Sequence, residues 1–165
     1  MKNLRFGILP AFLVGASFLI FVSWAVVGVS QVRGPSMKPR YHSGQIVFIN
    51  RWAYGLANPI IGGYWWFWKA PQIGDPVILK DPADGKLIVK RIAGVSGTSI
   101  KVVGKKLFIG KRVVPLSGAE AYWLSSVSNV PSGMVFVLGD NSSVSEDSRD
   151  WGFIPQTQVM GRLLN

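Results

Sequence analysis

The sequence predicts a mostly β domain, built as a barrel or sandwich, that follows one N-terminal transmembrane helix. Residues 6–32 contain no charged side chain, whereas from Gly44 onward the apolar residues come in short segments interrupted by glycine and proline. Short segments with turn signals about every 8–12 residues, and few helical patterns, are typical of all-β barrels and sandwiches. The 165 residues suffice for one such domain with its own core.

The N-terminal apolar run is long enough to cross a bilayer. A transmembrane helix needs about 20 residues, whereas the apolar region of a cleavable signal has only about 7–15. We therefore predict a short tail over residues 1–6, an uncleaved anchor helix over residues 7–30 and an extramembrane domain over residues 31–165.

The charges beside this run leave its orientation open. Lys2 and Arg5 precede the run, and basic residues also follow it closely, at Arg33, Lys38 and Arg40. Basic residues near the ends of a span decide its orientation only when they are unevenly distributed.

Seven segments after the anchor carry a strand pattern. Turn residues at Gly104-Lys105 and Gly110-Lys111 divide three of them into a meander. The predicted strands are Gln45–Asn50, Asp75–Lys80, Lys86–Ala93, Ser99–Val103, Lys106–Gly110, Arg112–Val114 and Val135–Leu138.

Composition excludes several kinds of chemistry. The chain has no cysteine, which excludes disulfides, thiolate catalysis and cysteine-ligated zinc, and its one histidine is His42. We therefore expect no metal and no cofactor. The net charge of +10 favours a polyanionic partner, either anionic lipid or nucleic acid.

Two surface features leave alternatives open at this point. The basic residues of the meander are typical of a solvated sheet edge or of a polyanion site; since no nucleic-acid motif accompanies them, acidic lipid is the simpler partner. The aromatic stretch Tyr64–Trp68 either fills the core or lies at a membrane interface, where Trp and Tyr are enriched.

Ser36 is a candidate nucleophile. It lies in the stiff segment Arg33-Gly34-Pro35-Ser36-Met37-Lys38-Pro39, but a serine hydroxyl needs a base to take its proton. His42 follows in a turn-like segment. Lys90 is the other candidate, because alternation places it on one strand face with Ile88 and Ile92, and burial among apolar neighbours lowers the pKa of a lysine. The alternation alone is equally consistent with a lysine that guards a sheet edge.

Four motifs make the sequence resemble the type I signal peptidase family. In chain order they are G-P-S-M-K-P, I-G-D-P-V, V-K-R-I-A-G-V-S-G and G-D-N-S-S-V-S-E-D-S-R-D-W-G-F. They span Arg33 to Phe153. The resemblance implies a mostly β membrane-anchored serine endopeptidase with a Ser/Lys dyad.

The resemblance also implies roles for individual residues. Ser36 looks like the nucleophile, Lys90 like the general base and Ser145 like the hydroxyl that orients the lysine. Three further positions match supporting elements of the family: Met37 beside the nucleophile, and Asp147 with Arg149 as a structural ion pair. Some members have a serine where this chain has Gly34, so we expect the oxyanion to depend on backbone N–H groups, chiefly that of Ser36.

The function implied is removal of N-terminal signal peptides from exported preproteins that have small residues before the cut. The enzyme would reside in a bacterial-type cytoplasmic membrane as a single-pass protein, with its catalytic domain on the extracytoplasmic side. One alternative is a peptidase dedicated to a single substrate, such as a conjugative pilin. An alternative of another class is an inactive membrane adaptor that binds acidic lipid or nucleic acid.

Overall fold

The computed structural model describes residues 10, 12–17, 26–58 and 63–164. Residues 12–17 are helical, and after them come, within the described residues, twelve strands, two further short α-helices and one 3-10 helix, Gln156–Gln158. The strands are β1 (Val27–Gln31), β2 (Ile46–Asn50), β3 (Gly55–Ala57), β4 (Tyr64–Phe67), β5 (Pro76–Lys80), β6 (Leu87–Val95), β7 (Ile100–Val103), β8 (Lys106–Ile109), β9 (Arg112–Pro115), β10 (Met134–Leu138), β11 (Ile154–Pro155) and β12 (Val159–Leu163). The two further α-helices are α1 (Gly118–Leu124) and α2 (Ser148–Trp151).

Seven strands form the main sheet, in the order β1-β2-β12-β5-β6-β10-β11. Every neighbouring pair is antiparallel. Among the described strands β1 and β11 pair on one side only, so this sheet is open at both edges. The mostly β class is thus confirmed, and a fully closed barrel is not what the pairing forms.

Two smaller sheets accompany the main one. β3 and β4 make an antiparallel hairpin, and β7, β8 and β9 make the meander. Both predicted meander turns are confirmed as two-residue loops that begin with glycine at positive φ, Gly104 at 57° and Gly110 at 53°. Such short hairpin loops need positive φ, which glycine adopts without strain.

The N-terminal prediction needs one correction. Residues 12–17 are helical, but Val27–Gln31 is a strand that pairs with β2. The predicted helix over residues 7–30 is therefore wrong over its last four residues. Residues 18–25 lie outside those that the structure describes, and no helix in the described stretches has both the length and the hydrophobicity needed to cross a bilayer.

Apolar side chains pack against both faces of the central strands. In β5 three consecutive residues, Val77, Ile78 and Leu79, are buried, although successive residues of a strand point to opposite faces. Ile78 belongs to a cluster that includes Met37 and Val89, whereas its two neighbours belong to a second cluster. A third cluster lies between the meander, α1 and β10. Polar side chains on β6 are therefore surrounded by apolar packing.

Candidate active site

The segment that carries Ser36 is fixed at both ends. Before the serine, Val32 exchanges backbone hydrogen bonds with the loop before β2, through the Gln45 carbonyl and the Gly44 N–H. After it, Met37 is buried in the cluster that also contains Val89 of β6. The Ser36 side chain itself is half-buried. The serine is therefore held beside the lysine strand with its hydroxyl still reachable.

Lys90 is a buried amine. Its residue is only 4% exposed, and Ile88 and Ile92 of the same strand face pack into one apolar cluster. Its Nζ atom lies 5.6 Å from the centre of the Trp151 ring. The predicted apolar surroundings are thus confirmed, and the Lys90 side chain is buried, unlike the solvated lysines that block edge pairing.

Burial lowers the pKa of Lys90 below its ordinary value. Removal from water is the largest effect, and the positive charge of Arg149 acts in the same direction. Three carboxylates oppose it by favouring the ammonium form: Asp147, Asp81 and Glu146. Because the net direction is downward, a larger fraction of this amine is neutral near pH 7 than of an exposed lysine.

The loop after β10 supplies the hydrogen-bond partner of the lysine. Lys90 Nζ donates to the Ser145 hydroxyl over 2.9 Å, and Ser145 is buried. The backbone N–H of Asn141, in the same loop, donates to the carbonyl of Ser36 over 2.8 Å. One loop therefore holds both the amine and the backbone of the candidate nucleophile.

Gly139 is where these groups approach most closely. A Cβ atom at this position would lie 2.2 Å from the Ser145 hydroxyl oxygen and 2.6 Å from the Ser36 carbonyl oxygen. Both distances are far below van der Waals contact, so only glycine fits here. The Ser36 hydroxyl and the Lys90 amine, both described, are not hydrogen-bonded to each other.

Asp147 and Arg149 form the predicted ion pair, fully inside the protein. Arg149 donates to the Asp147 carboxylate from Nε at 2.9 Å and from a terminal nitrogen at 3.0 Å. The same carboxylate caps α2 and accepts the N–H of Gly139 at 3.0 Å. Arg149 also donates to the carbonyls of Ser142 and Ser145. The pair thus fixes the loop on both sides of the lysine's partner.

A second ion pair in this region was missed from the sequence. Arg91, the residue after Lys90, donates two hydrogen bonds to Asp140, at 2.7 and 2.6 Å. The Arg112 guanidinium also lies 3.8 Å from this carboxylate. Both residues lie in motifs that the sequence shows, Arg91 in V-K-R-I and Asp140 in G-D-N. Their spacing along the chain, however, does not indicate that they pair.

Beside Lys90 the strand has a free edge. β5 pairs with Leu87–Arg91, whereas β10 pairs only from Arg91 onward. Over 87–90 the second edge of β6 therefore pairs with no described strand. A cleft of about 200 Å³ opens at the start of this edge, lined by Ser30, Gln31, Arg33, Lys86 and Leu87.

The alternative base is far less suited to the task. His42 is exposed and lies in a turn. Its backbone N–H donates to the Gln45 side-chain oxygen, and its backbone carbonyl accepts the Gln45 backbone N–H. It is not surrounded by packed side chains that would hold the ring toward Ser36.

Comparison with known proteins identifies the family. The family model described as "Signal peptidase, peptidase S26" matches residues 5–164. The chain belongs to this signal peptidase family. The resemblance that the four motifs predicted is thereby confirmed.

Relatives of the family come from bacteria and from mitochondria. The chain is 28% identical over 174 residues to signal peptidase I of Pseudomonas fluorescens, covering 80% of this chain and 61% of that protein. It is 34% identical over 142 residues to mitochondrial inner membrane protease subunit 1 of Mus musculus, covering 84% and 68%. The chain thus spans about three fifths of the length of the Pseudomonas relative. A crystal structure of a signal peptidase I from Enterococcus faecalis V583 aligns with a TM-score of 0.42 at 30% identity, over 58% of this chain and 97% of that one.

Proposed function

We propose that this chain is a membrane-anchored serine endopeptidase that removes N-terminal signal peptides from exported preproteins. The observation that carries the proposal is the buried Lys90 amine, which has a lowered pKa and is hydrogen-bonded to Ser145 in the loop that also holds the Ser36 backbone. Family membership supports the same activity.

In the proposed reaction Lys90 is the general base and Ser36 the nucleophile. The neutral amine takes the proton of the Ser36 hydroxyl while the Ser36 Oγ atom attacks the carbonyl carbon of the scissile peptide bond. The resulting ammonium then gives this proton to the leaving amine as the peptide C–N bond breaks, which leaves an ester on Ser36. Lys90 next takes a proton from water while the water oxygen attacks the ester carbonyl. The C–O bond to Ser36 then breaks, and the ammonium returns the proton to the Ser36 oxygen. Ser145 orients the amine throughout.

The negative charge on the carbonyl oxygen needs hydrogen-bond donors. The N–H of Ser36 donates to no described residue, so it is available for this role. Gly34 has no side-chain donor, and its φ of 74° belongs to a turn conformation that glycine favours. We therefore assign oxyanion stabilisation chiefly to the Ser36 backbone.

The substrate would lie extended along the free edge of β6. Addition of a strand to an open edge provides backbone hydrogen bonds, and shallow pockets then select side chains. The cleft at the beginning of this edge provides an entrance between the segment before Ser36 and the start of β6. Secretory signals have small residues one and three positions before the cut. In an extended substrate these two side chains point to the same face, where shallow pockets would select them.

We further propose that the N-terminal apolar run anchors the chain. The anchor would begin at residue 7 and end before Val27, where β1 begins, with residues 1–6 on the cytoplasmic side. The catalytic domain would then face the extracytoplasmic side of a bacterial-type cytoplasmic membrane. The absence of charge over residues 6–32, and the membrane protease named among the relatives, support the anchor, and the orientation is the one that the family resemblance implies.

Turnover of a fluorogenic peptide with alanine at both positions before the cut tests the activity. The purified chain in detergent should cleave it, and Ser36→Ala and Lys90→Ala should each reduce the rate by about four to six orders of magnitude. Lys101→Ala, which removes an exposed lysine of the meander, is the matched control and should cleave normally. A Lys90→Ala variant that cleaves at the wild-type rate would refute the mechanism.

A cellular assay separates general from dedicated processing. A bacterial strain depleted of its own signal peptidase should regain growth with this chain if the chain acts on general secretory precursors. Failure to rescue, together with activity on the peptide, would indicate a dedicated substrate such as a pilin.

A further inference from the structure

The β3–β4 hairpin presents a cluster of exposed tryptophans. Trp65, Trp66 and Trp68 are 60%, 72% and 53% exposed. Single exposed apolar side chains are normal in soluble domains, but large apolar residues gathered in one patch mark an interaction surface. The sequence left the position of these rings open, and the structure divides the stretch: Tyr64 and Phe67 pack inward, and the tryptophans do not.

A β-bulge causes this arrangement. Leu56 pairs with Trp66 and Ala57 with Tyr64, so Trp65 is an extra residue in β4. Successive residues of a regular strand point to opposite faces, whereas a bulge interrupts the alternation. Two consecutive tryptophans therefore both face outward.

The hairpin is fixed to the domain and does not collapse onto it. The Tyr64 hydroxyl donates to the Val159 carbonyl of β12, and burial raises the pKa of Tyr64 to about 12. Its ring packs edge-on against Phe67 at 5.4 Å. The N–H groups of Trp68 and Lys69 both donate to the Tyr54 carbonyl. The tryptophans are thus presented on a supported platform.

The root of the hairpin lies beside the point where the N-terminal apolar run enters the domain. The Arg51 N–H donates to the Val26 carbonyl over 2.9 Å, and the Arg51 side chain lies against Gly28 of β1. Gly55, where β3 begins, is only four positions after Arg51, and four residues span at most about 14 Å. If the apolar run crosses a bilayer, the hairpin therefore starts near its surface.

The charges around the hairpin match an anionic lipid surface. Residues 51–73 contain Arg51 and Lys69, both exposed, and no Asp or Glu. Tryptophan favours the headgroup level of a bilayer because its ring is apolar and its N–H is polar. Basic side chains next to such rings interact with lipid phosphates. A second copy of a chain with a net charge of +10 is a less favourable partner, because like charges repel.

We propose that the β3–β4 hairpin is a second membrane contact, whose tryptophans enter the headgroup region of an anionic bilayer. This contact holds the catalytic domain at a defined height and orientation above the lipid. The inference rests on the proposed membrane anchor for its location and is independent of the peptidase activity.

Depth measurements on the full chain in vesicles test this contact. Because the chain has no cysteine, single substitutions accept one fluorescent label each: Trp66→Cys reports the hairpin, Ser17→Cys the anchor, and Tyr122→Cys, an 84% exposed aromatic position on α1, is the control. Vesicles contain phosphatidylcholine and phosphatidylglycerol, and quenchers are either iodide in water or bromine on lipid chains.

The label at position 66 should be shielded from iodide and quenched from shallow lipid positions, about 5–10 Å below the phosphates. The label at position 122 should remain accessible to iodide. In the Trp66→Cys background, Trp65→Ser with Trp68→Ser should remove the shielding, because the remaining apolar rings are lost.

Three results would overturn the inference. The first is equal iodide access at positions 66 and 122 while position 17 is quenched by lipid, which would leave the anchor intact and refute the hairpin contact. The second is shielding at position 66 without lipid quenching but with self-quenching between labelled copies, which would indicate self-association. The third is shielding that survives the double substitution. Lack of lipid quenching at position 17 would instead contradict the anchor and, with it, the location on which this inference rests.

Discussion

The ε-amino group of Lys90 donates a 2.9 Å hydrogen bond to the hydroxyl of Ser145, although 55 positions of sequence separate the two residues. The contact joins a central strand of the main sheet to the loop after β10. The same loop accommodates the Ser36 carbonyl at Gly139. The proposed base, its orienting group and the backbone of the proposed nucleophile therefore depend on the geometry of one loop.

Ser145→Ala should slow catalysis without unfolding the domain. The substitution removes the acceptor that orients Lys90, and loss of one buried hydrogen-bond partner costs about 1–3 kcal/mol, or roughly ten- to hundredfold in kcat. KM should change little, since Ser145 lies beneath the site and does not line the free edge of β6. Steady-state kinetics on the peptide measures both.

Ser143→Ala is the matched control for this loop. Its hydroxyl is exposed and bonds only to the Asn141 side chain among the described residues. Equal losses of kcat in the two variants would show that Ser145 acts through loop integrity and not through Lys90.

Gly139→Ala should nearly abolish activity. The added methyl group would overlap the Ser145 hydroxyl and the Ser36 carbonyl, both within 2.6 Å, and neither group can move without separating the lysine from the serine. We expect a loss of at least about a hundredfold in kcat/KM, since misplacement of reacting groups by about 1 Å has such a cost.

Gly118→Ala provides the comparison. Gly118 is the first residue of α1 and has no neighbouring atom within 4 Å of an added Cβ. This variant should retain full activity. Normal kinetics for Gly139→Ala would contradict the close approach at that position.

Asp147→Ala should strongly destabilise the fold. Asp147 is 0% exposed and is the partner of the buried Arg149. Removing Asp147 leaves the buried Arg149 charge with Glu120, 4.0 Å from its Nε, as a more distant partner. We therefore expect a loss of about 3 kcal/mol in the free energy of unfolding, at the lower end of the cost of breaking a buried pair. Urea unfolding followed by circular dichroism measures the loss.

The exposed pair Lys86–Asp84 serves as the control for this experiment. Asp84→Ala should leave the urea midpoint unchanged, because water screens exposed ion pairs. A midpoint for Asp147→Ala equal to that of the wild type would show that the buried pair does not hold the loop.

Local pattern predicted most of the sheet and the strand position of the proposed base. Alternation placed Lys90 between Ile88 and Ile92 on one strand face, which made burial one of two readings, and the structure shows that the residue is buried. All seven predicted strands form, within one or two residues at each end. These features depend on neighbouring residues, which is why the sequence reveals them.

Other elements were hidden by their surroundings. β1 follows the N-terminal apolar run with no charged residue between them, so the sequence does not show where the strand begins.

In β12, Val159, Gly161 and Leu163 are buried alternately, but the central glycine carries no strand signal. Glycine is needed there because a Cβ atom would lie 2.7 Å from the Asn50 carbonyl oxygen. Ser117 and Glu120 form the capping box that begins α1, and a serine followed three positions later by a glutamate is a signal of a helix start.

Contacts between distant segments could not be read from local pattern. Arg91 and Asp140 lie 49 positions apart, and many other acidic and basic residues offered equally plausible pairs. The closeness of Gly139 to Ser36 likewise arises only when the loop folds over the serine segment. Tertiary packing, and not propensity, determines these contacts.

The proposed mechanism requires Lys90 to act as a neutral amine at the pH of catalysis. Desolvation disfavours its ammonium form, so its pKa lies below the usual lysine value of about 10.4. Because the neutral amine is the base, activity should rise as pH increases through this lowered pKa. The acid limb of kcat/KM should therefore coincide with the pKa of Lys90 in the free enzyme.

NMR titration of the chain labelled with ¹³C-lysine measures the pKa of Lys90, with its signal assigned by its absence in Lys90→Arg. We predict that this signal titrates below the usual lysine value of about 10.4, at the pH that defines the acid limb. Titration of Lys90 together with the exposed lysines would contradict the account.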